Sequence, residues 1–333
     1  MKYFAIVGCG HIANKHIEAI ARTEGAELLA LCDTNQARLD DLRAVTTAKL
    51  YTDMAAMLQA EPRIDVICIC TPSGLHASLA IQAAQAGKHL IIEKPISLTL
   101  ADADAIIEAV ASSGVKAAVV HPNRYRPAMK QLKRALEEEN FGKLSHVNAT
   151  VRWNRNQAYY DQAPWRGTKL MDGGVLMNQA IHNLDLLLWL FGPVAKVKSI
   201  VDTRIRDIEA EDVAVAALKF ESGALGTVEA ATTIFDKNLE ESIGVFGEYG
   251  YAIVGGKTAN WIKEWKSSKM TQDQIESLIR DIEHDPFGVS GHQCIIEDMV
   301  RAIDEGRSPA VTVEDGKRAI QLVIDIVDDG YIG

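Results

Sequence analysis

The chain has little cysteine, five in 333 residues. Cys9, Cys32, Cys68, Cys70 and Cys294 are odd in number and mostly set within apolar runs. A disulfide framework is therefore not expected, and reduced, buried thiols in a cytosolic protein are. Cys68 and Cys70 stand two apart in a strand-like run, the wrong spacing for a usual zinc knuckle, and no metal is expected. No apolar run approaches the ~18 residues of a membrane helix. Met1-Lys2-Tyr3-Phe4 leads straight into a strand without a signal-peptide pattern, so the expected location is the cytoplasm, away from any membrane. Positive charge is also short. Lys and Arg number 35 against 45 Asp and Glu, a net charge of −10, which removes any general attraction to nucleic acid or anionic lipid. An anionic small ligand would need a local cluster of Arg and Lys. Internal repeats and low-complexity tracts are lacking as well.

What remains is an ordinary globular composition, 47% apolar and 24% charged, in a chain too long for one comfortable core. Two domains are expected, over residues 1–122 and 123–333. Short apolar runs at 4–7, 27–32, 65–70, 89–92 and 116–120 read as strands, with amphipathic stretches between most of them. Continuous apolar strands linked by helices indicate an α/β, doubly wound parallel sheet, a Rossmann domain. Thr71-Pro72-Ser73-Gly74 opens one helix and Gly87 closes it; Ser97-Leu98-Thr99 leads into another that stops near Gly114. Beyond residue 120 the period changes. A helix is expected over 128–139, then strands at 144–153, 197–205, 213–220, 224–234, 241–246 and 251–254, then helices at 291–304 and 314–327. This describes a C-terminal α+β domain with a large open, mostly antiparallel sheet. Such a sheet, apolar on both faces, invites pairing between subunits, so a homo-oligomer, dimer or tetramer, is expected.

Gly8-Cys9-Gly10-His11-Ile12-Ala13 lies at the end of the first strand and opens the first helix, the setting a dinucleotide fingerprint requires. Gly8 permits the tight turn, Gly10 a close approach of backbone to pyrophosphate, and Ala13 close helix packing. The helix N-terminus then offers free N–H groups to the phosphates. Asp33 falls 20 residues after Ala13, where an acid accepts hydrogen bonds from ribose hydroxyls and repels a 2′-phosphate, favouring NAD over NADP. Thr71-Pro72 and Glu93-Lys94-Pro95 also follow strand ends, at the edge of the sheet where ligands bind. Pro95 holds Lys94 extended, and an ammonium there suits a substrate oxygen or a proton transfer. The expected cofactor contacts are Gly8, Gly10, His11, Ile12, Ala13, Asp33, Thr71, Pro72, His76, Glu93 and Lys94.

Residues 176–191 read as a nearly apolar helix that places Asn178, His182 and Asp185 at i, i+4 and i+7, on one face. A polar stripe there is costly unless each group has a partner. It is either a site or a hydrogen-bonded core histidine. Histidine, with an ordinary pKa of about 6.5, can accept a proton from a hydroxyl under oxidation.

Gly8-x-Gly10-x-x-Ala13, Glu93-Lys94-Pro95 and Gly173-Gly174-x-x-x-Asn178-x-x-x-His182-x-x-Asp185, in that order, resemble the Gfo/Idh/MocA oxidoreductases. Gly291-His292-x-x-x-x-Asp298-Met299-Val300-x-Ala302-Ile303 is similar to that family's closing helices. The resemblance implies a Rossmann domain followed by an open-sheet domain, with Lys94 and His182 as the catalytic pair and a sugar between them and the nicotinamide. One position departs: the family commonly has Asp four residues before the histidine, and this chain has Asn178. From Arg152 to Lys169 the chain carries three Arg and one Lys against Asp161 alone, together with Trp153, Tyr159, Tyr160 and Trp165. This cluster, with Asn178-Gln179, resembles the subgroup that oxidises C3 of UDP-N-acetyl-glucosaminuronic acid. Arginines suit a carboxylate or diphosphate and aromatic rings stack on a pyranose or uracil; an interface role for the same residues is the alternative.

The expected activity is NAD-dependent oxidation of a secondary hydroxyl, C3, of a nucleotide-linked pyranose, with UDP-N-acetyl-glucosaminuronic acid the substrate that the resemblance implies. Lys94, His182 and Asn178 are the catalytic candidates, with Asp185 supporting. Asn123, Arg124, Tyr125, Arg155, Tyr159, Tyr160, Trp165 and Arg166, together with Asn178 and His182, are the substrate candidates. A neutral-sugar or inositol dehydrogenase of the same family is one alternative, and a non-catalytic NAD-binding regulator is another.

Overall fold

The computed structural model describes residues 1–331, and the chain divides into two compact units. The first comprises residues 1–122 and 290–317; the second comprises 123–289 and the chain from Arg318 on. In the first unit β1 (Lys2–Val7), α1 (Ala13–Arg22), β2 (Ala26–Cys32), α2 (Gln36–Leu42), β3 (Lys49–Tyr51), α3 (Met54–Ala60), β4 (Val66–Ile69), α4 (His76–Gln85), β5 (His89–Ile92), α5 (Leu100–Ser113) and β6 (Ala117–Val119) alternate along the chain. The six strands are parallel in the order β3-β2-β1-β4-β5-β6. The order reverses at β1, which opens a crevice at the strand ends between β1 and β4. Phe4, Ala5, Ile6, Ile67, Cys68 and Ile91 are fully buried, because helices cover both faces and apolar side chains can point either way. Thr99 caps α5 by accepting from the Asp102 N–H, and Gly114 ends it with φ +66°. The three-residue β3 was not expected; it is too short to show a period.

The second unit contains α6 (Pro127–Glu137), β7 (Leu144–Arg152), the single turn α7 (Gln157–Tyr160), α8 (Ile181–Phe191), β8 (Val194–Asp202), β9 (Val213–Phe220), β10 (Leu225–Ala231), β11 (Glu240–Gly247), β12 (Gly250–Gly255), β13 (Trp261–Ser267) and α9 (Gln272–His284). The sheet runs β13-β12-β11-β7-β10-β9-β8. All its pairs are antiparallel except β7 with β10. On β9 buried and exposed residues alternate, and the outer side carries Ala217 and Lys219 beside the exposed Val215, Ile200 and Leu225. That face is mixed and not continuously apolar. Two elements escaped the sequence reading. The edge strand β13 carries Lys263, Glu264 and Lys266, and α9 buries only Ile275 and Ile282, so neither shows a wide apolar face.

The chain then enters α10 (Gly291–Asp304) and α11 (Val313–Gly330), the latter crossing from the first unit to the second at Lys317–Arg318. The sequence reading placed α10 with the second domain; the contacts group it with the first. It packs on α1 with Ile296, Met299 and Ala302 fully buried, and in the segment that follows the Val311 carbonyl accepts from the Val119 N–H, 3.2 Å away. Helical periodicity marks an apolar face but not which core that face fills. Among the described residues no helix is long and apolar enough to cross a membrane. Ile296→Ala, which hollows the α1–α10 contact, is expected to cost about 2–5 kcal/mol, measured as a lowered urea midpoint of the first unit's unfolding.

Candidate active site

In the first unit the candidate cofactor residues gather at the ends of β2, β1, β4 and β5, neighbours in the sheet. Gly8 has φ +95°, and a Cβ there would lie 2.6 Å from the Cys70 carbonyl carbon and the Thr71 nitrogen. The β1–α1 turn therefore presses directly on the segment after β4, and only glycine fits. Gly10 behaves oppositely: a Cβ there would meet nothing within 4 Å. The space above it is open, as an approaching phosphate requires. His11 is exposed and Ile12 half-buried in the first turn, and Ala13 is fully buried under it.

Asp33 is buried. Its Oδ2 accepts from the Cys9 N–H at 2.8 Å and its Oδ1 from the Asn35 N–H at 2.8 Å, so the carboxylate ties the fingerprint turn to the end of β2. Burial, with the Asp33 charge beside it, pushes the Cys9 thiol up to about 12, and it stays protonated. The Thr71 hydroxyl oxygen is buried without a partner, an acceptor and donor unspent at the crevice. Open space over Gly10, an acid at the ribose position and an orphan hydroxyl at the switch point together fit a dinucleotide.

Not every expected cofactor residue faces that space. Both ring nitrogens of His76 lie against carbonyls, Nδ1 at 2.8 Å from Pro95 and Nε2 at 3.0 Å from Thr71, and burial lowers its pKa. The ring braces the two turns against each other. Glu93 is buried, with one oxygen shared by His16 and His292 and the other accepting from the Lys94 N–H. Lys94 itself is half-buried at the end of β5.

In the second unit residues 176–180 form a π-helical turn ahead of α8. This differs from the uniform helix expected, and widening of this kind is common at functional sites. Asn178 lies in that turn, and its amide donates to Asp172, which also accepts from the Gly167 N–H at 2.8 Å. Asn178 thus has a buried carboxylate beside it, supplied from the preceding loop. Glu211 sits behind the same turn. Its Oε1 accepts from the Leu176 N–H at 3.0 Å, and a Cβ on Gly174 would collide with its carboxyl group. Burial raises its pKa to about 7. Asp185 takes the Arg124 guanidinium as a fork, at 2.9 and 2.6 Å. Arg124 is buried and holds α8 against the Pro122–Tyr125 turn, and Asn123 is likewise buried, donating to Glu241 at 3.1 Å. The Tyr125 ring lies under the Lys130 ammonium, 5.4 Å from its centre.

The Arg and aromatic cluster is assembled. The Arg166 guanidinium lies over the rings of Tyr159 (4.4 Å) and Trp165 (4.6 Å), and donates to the Tyr159 hydroxyl at 2.7 Å. Arg155 lies over Trp153 and Tyr159, 5.0 and 5.2 Å from their centres. The Nε of Arg166 is buried without a partner. Arg152 does not take part, since its guanidinium is committed to Glu229 and Glu240. Tyr160 turns inward to the Thr232 hydroxyl, and burial pushes its own hydroxyl up to about 12. The sequence reading missed Asp172 as the partner of Asn178, the capping Glu211, and Arg206, whose Nη2 donates to the Thr232 carbonyl at 3.2 Å while its Nε is buried without a partner. No local pattern marks them, although Asp172 stands directly before the Gly-Gly pair.

Comparison with known proteins agrees with both halves. The family described as "Oxidoreductase family, NAD-binding Rossmann fold" matches residues 2–121, and the "GFO/IDH/MocA C-terminal domain" matches residues 129–253. The WlbA dehydrogenase of Bordetella pertussis, solved with NADH and UDP-GlcNAcA, is 37% identical, with a TM-score of 0.94 over 98% of this chain and 95% of that one. The WlbA dehydrogenase of Chromobacterium violaceum, solved with the same two molecules, is 36% identical, with a TM-score of 0.92 over 98% and 93%. Myo-inositol 2-dehydrogenase of Thermotoga maritima is 28% identical over 95% of this chain and 92% of its own length.

Two measurements probe these sites. Gly10→Ala should leave the melting temperature unchanged and weaken NAD binding about tenfold or more, whereas Gly8→Ala should destabilise the fold by about 1–3 kcal/mol through strain and contact. Glu211 holds its proton more tightly folded than unfolded, so its contribution to stability falls as pH rises from 4.5 to about 7. Glu211→Gln should match the parent below that window and exceed it above by up to about 3 kcal/mol, read from melting curves across pH.

Proposed function

This chain belongs to the Gfo/Idh/MocA family and is an NAD-dependent sugar dehydrogenase of that family, and we propose that it oxidises a secondary hydroxyl, C3, of UDP-N-acetyl-glucosaminuronic acid. The observation that carries this reading is the Arg166 guanidinium, held over two aromatic rings with a buried Nε that has no protein partner. A rigid, poorly hydrated guanidinium with an unspent donor suits a carboxylate or diphosphate oxygen. Arg155 adds a second cation over the same Tyr159 ring. The likeness to two dehydrogenases solved with UDP-GlcNAcA supports the same substrate.

NAD, when bound, supplies the acceptor for the hydride leaving the carbon. His182 accepts the hydroxyl proton, a task that imidazole suits at neutral pH. The Lys94 ammonium stabilises the oxygen as its O–H bond breaks. Asn178 cannot take a proton, and its amide is oriented by Asp172, so it positions a ligand and leaves proton transfer to His182. Asp185, forked onto Arg124, holds the helix that carries His182. A neutral cyclitol is the second reading, favoured by the myo-inositol 2-dehydrogenase relative.

Incubation with NAD and UDP-N-acetyl-glucosaminuronic acid should produce reduced nicotinamide, followed by its absorbance, and myo-inositol should not. Arg166→Ala should raise the KM for the anionic sugar about 10- to 100-fold, the worth of a charge-assisted hydrogen bond, and barely change that for any neutral sugar turned over. Equal effects on both would remove charge recognition. His182→Ala should lower kcat by about 10²–10⁴.

A further inference from the structure

We infer that His16 and His292 are positioning residues for Lys94: they clamp one oxygen of the buried Glu93 carboxylate so that the other accepts the Lys94 N–H. The inference rests on the reading that Lys94 acts on the substrate oxygen. All four residues belong to the first unit, although His292 enters it from α10, 199 positions beyond Glu93.

Glu93 Oε1 lies 2.8 Å from His16 Nε2 and 3.3 Å from His292 Nε2, and Oε2 accepts from the Lys94 N–H at 3.2 Å. The exposures of His16, Glu93 and His292 are 1%, 6% and 6%, so the two imidazole bonds to the carboxylate are shielded from water. The two imidazoles meet edge to face, with centroids 5.2 Å apart. Burial opposes charge on Glu93, and the hydrogen bonds from His16 and His292 outweigh it, keeping the carboxyl well below its ordinary range.

Three such groups could also be read as metal ligands. The 3.3 Å between His292 and Glu93 fits either reading, but the 2.8 Å between His16 and Glu93 is that of a hydrogen bond and is shorter than the roughly 3.3 Å between two ligands about 2.0–2.1 Å from one tetrahedral zinc. The cluster is better explained as a charge clamp.

What the clamp controls is the placement of Lys94. On its N-terminal side the N–H is held by Glu93. On its C-terminal side Pro95 has a fixed φ and its carbonyl is held by His76 at 2.8 Å. The Lys94 Cα is thus pinned from both directions, and the reach of the ammonium follows from it. A displacement of about 1 Å at a reacting group costs up to about 10²-fold in rate.

The test uses the full chain with NAD and UDP-N-acetyl-glucosaminuronic acid. His292→Asn is too short to reach Glu93, whereas His292→Gln can. The Asn variant should melt lower, because a donor to a buried charge is lost; assayed well below its melting temperature it should lose about 10- to 100-fold in kcat with NAD affinity little changed, and amide hydrogen exchange at Lys94 should speed up at least about tenfold more than at core amides of the same unit. The Gln variant should recover most of both. Should His292→Asn not fold, His16→Asn carries the same expectation. In a Lys94→Ala background, His292→Asn should cost nothing further. A full further loss there overturns the positioning role and leaves the reading of Lys94 standing. A Lys94→Ala variant with normal turnover overturns both. Exchange at Lys94 that is unchanged or rises only as much as at core amides, or turnover falling only in step with NAD affinity, also overturns the inference. The exchange measurement needs no substrate, so it judges the clamp even if the sugar proves to be a different one.

Discussion

A carboxylate taken out of water is tolerated only where donors replace its hydration, and removing one donor from a buried charge costs about 3–5 kcal/mol. Four buried acids in this chain meet that condition with groups from functional segments. Asp33 takes the N–H of Cys9 in the fingerprint turn, Glu93 takes two imidazoles and the N–H of Lys94, Asp172 takes Gly167 and Asn178, and Asp185 takes the Arg124 fork. The dinucleotide turn, the lysine, the π turn and the histidine helix are each placed by the donors such an acid requires. Burial raises the pKa of Glu241 even beside Arg126 and Asn123, and it also raises that of Glu211. With backbone N–H groups as its only hydrogen-bond donors, burial lifts its pKa to about 7, and neutralising by protonation replaces pairing.

Close approach is the second constraint, and beside the candidate site residues it acts at Gly8 and Gly174. Gly8 lets the β1–α1 turn lie against the segment after β4, and Gly174 lets the chain enter the π turn against the Glu211 carboxyl. Both bring polar backbone near the place where a ligand has to be held. The aromatic cluster obeys a related logic. Arg155 and Arg166 are stiffened by the rings beneath them, while Arg152, three residues from Arg155, is spent on two glutamates in the sheet. Local composition counts these arginines alike, and only their partners separate a recognition group from a structural one.

Much of the first unit is legible in the order of its residues. Parallel strands buried on both faces have to be continuous apolar runs, and the glycine turn and Asp33 have to follow them at set spacings, so β1, β2, β4, β5 and β6 and the NAD-binding fold were readable. The second unit was readable where strands alternate, as in β9, and unreadable where a charged edge strand or a weakly apolar helix shows no period, as in β13 and α9. Among the site residues, Tyr160 and Arg124 belong to chemically suitable types, yet one is packed inward and the other is spent on Asp185.

By itself, the sequence determined the period of the strands, the glycine fingerprint, the acid after β2, the shortage of positive charge and the order of the family's motifs. These are properties of neighbours in the chain, set by local sterics and by spacing. The tertiary structure alone decided that Asp172 faces Asn178, that Glu211 stands behind Gly174, that α10 belongs to the nucleotide unit and that His292 closes on Glu93. Those contacts join residues as far as 199 positions apart. A buried charge accepts whichever donor the packing brings within reach, and sequence spacing carries no record of that choice.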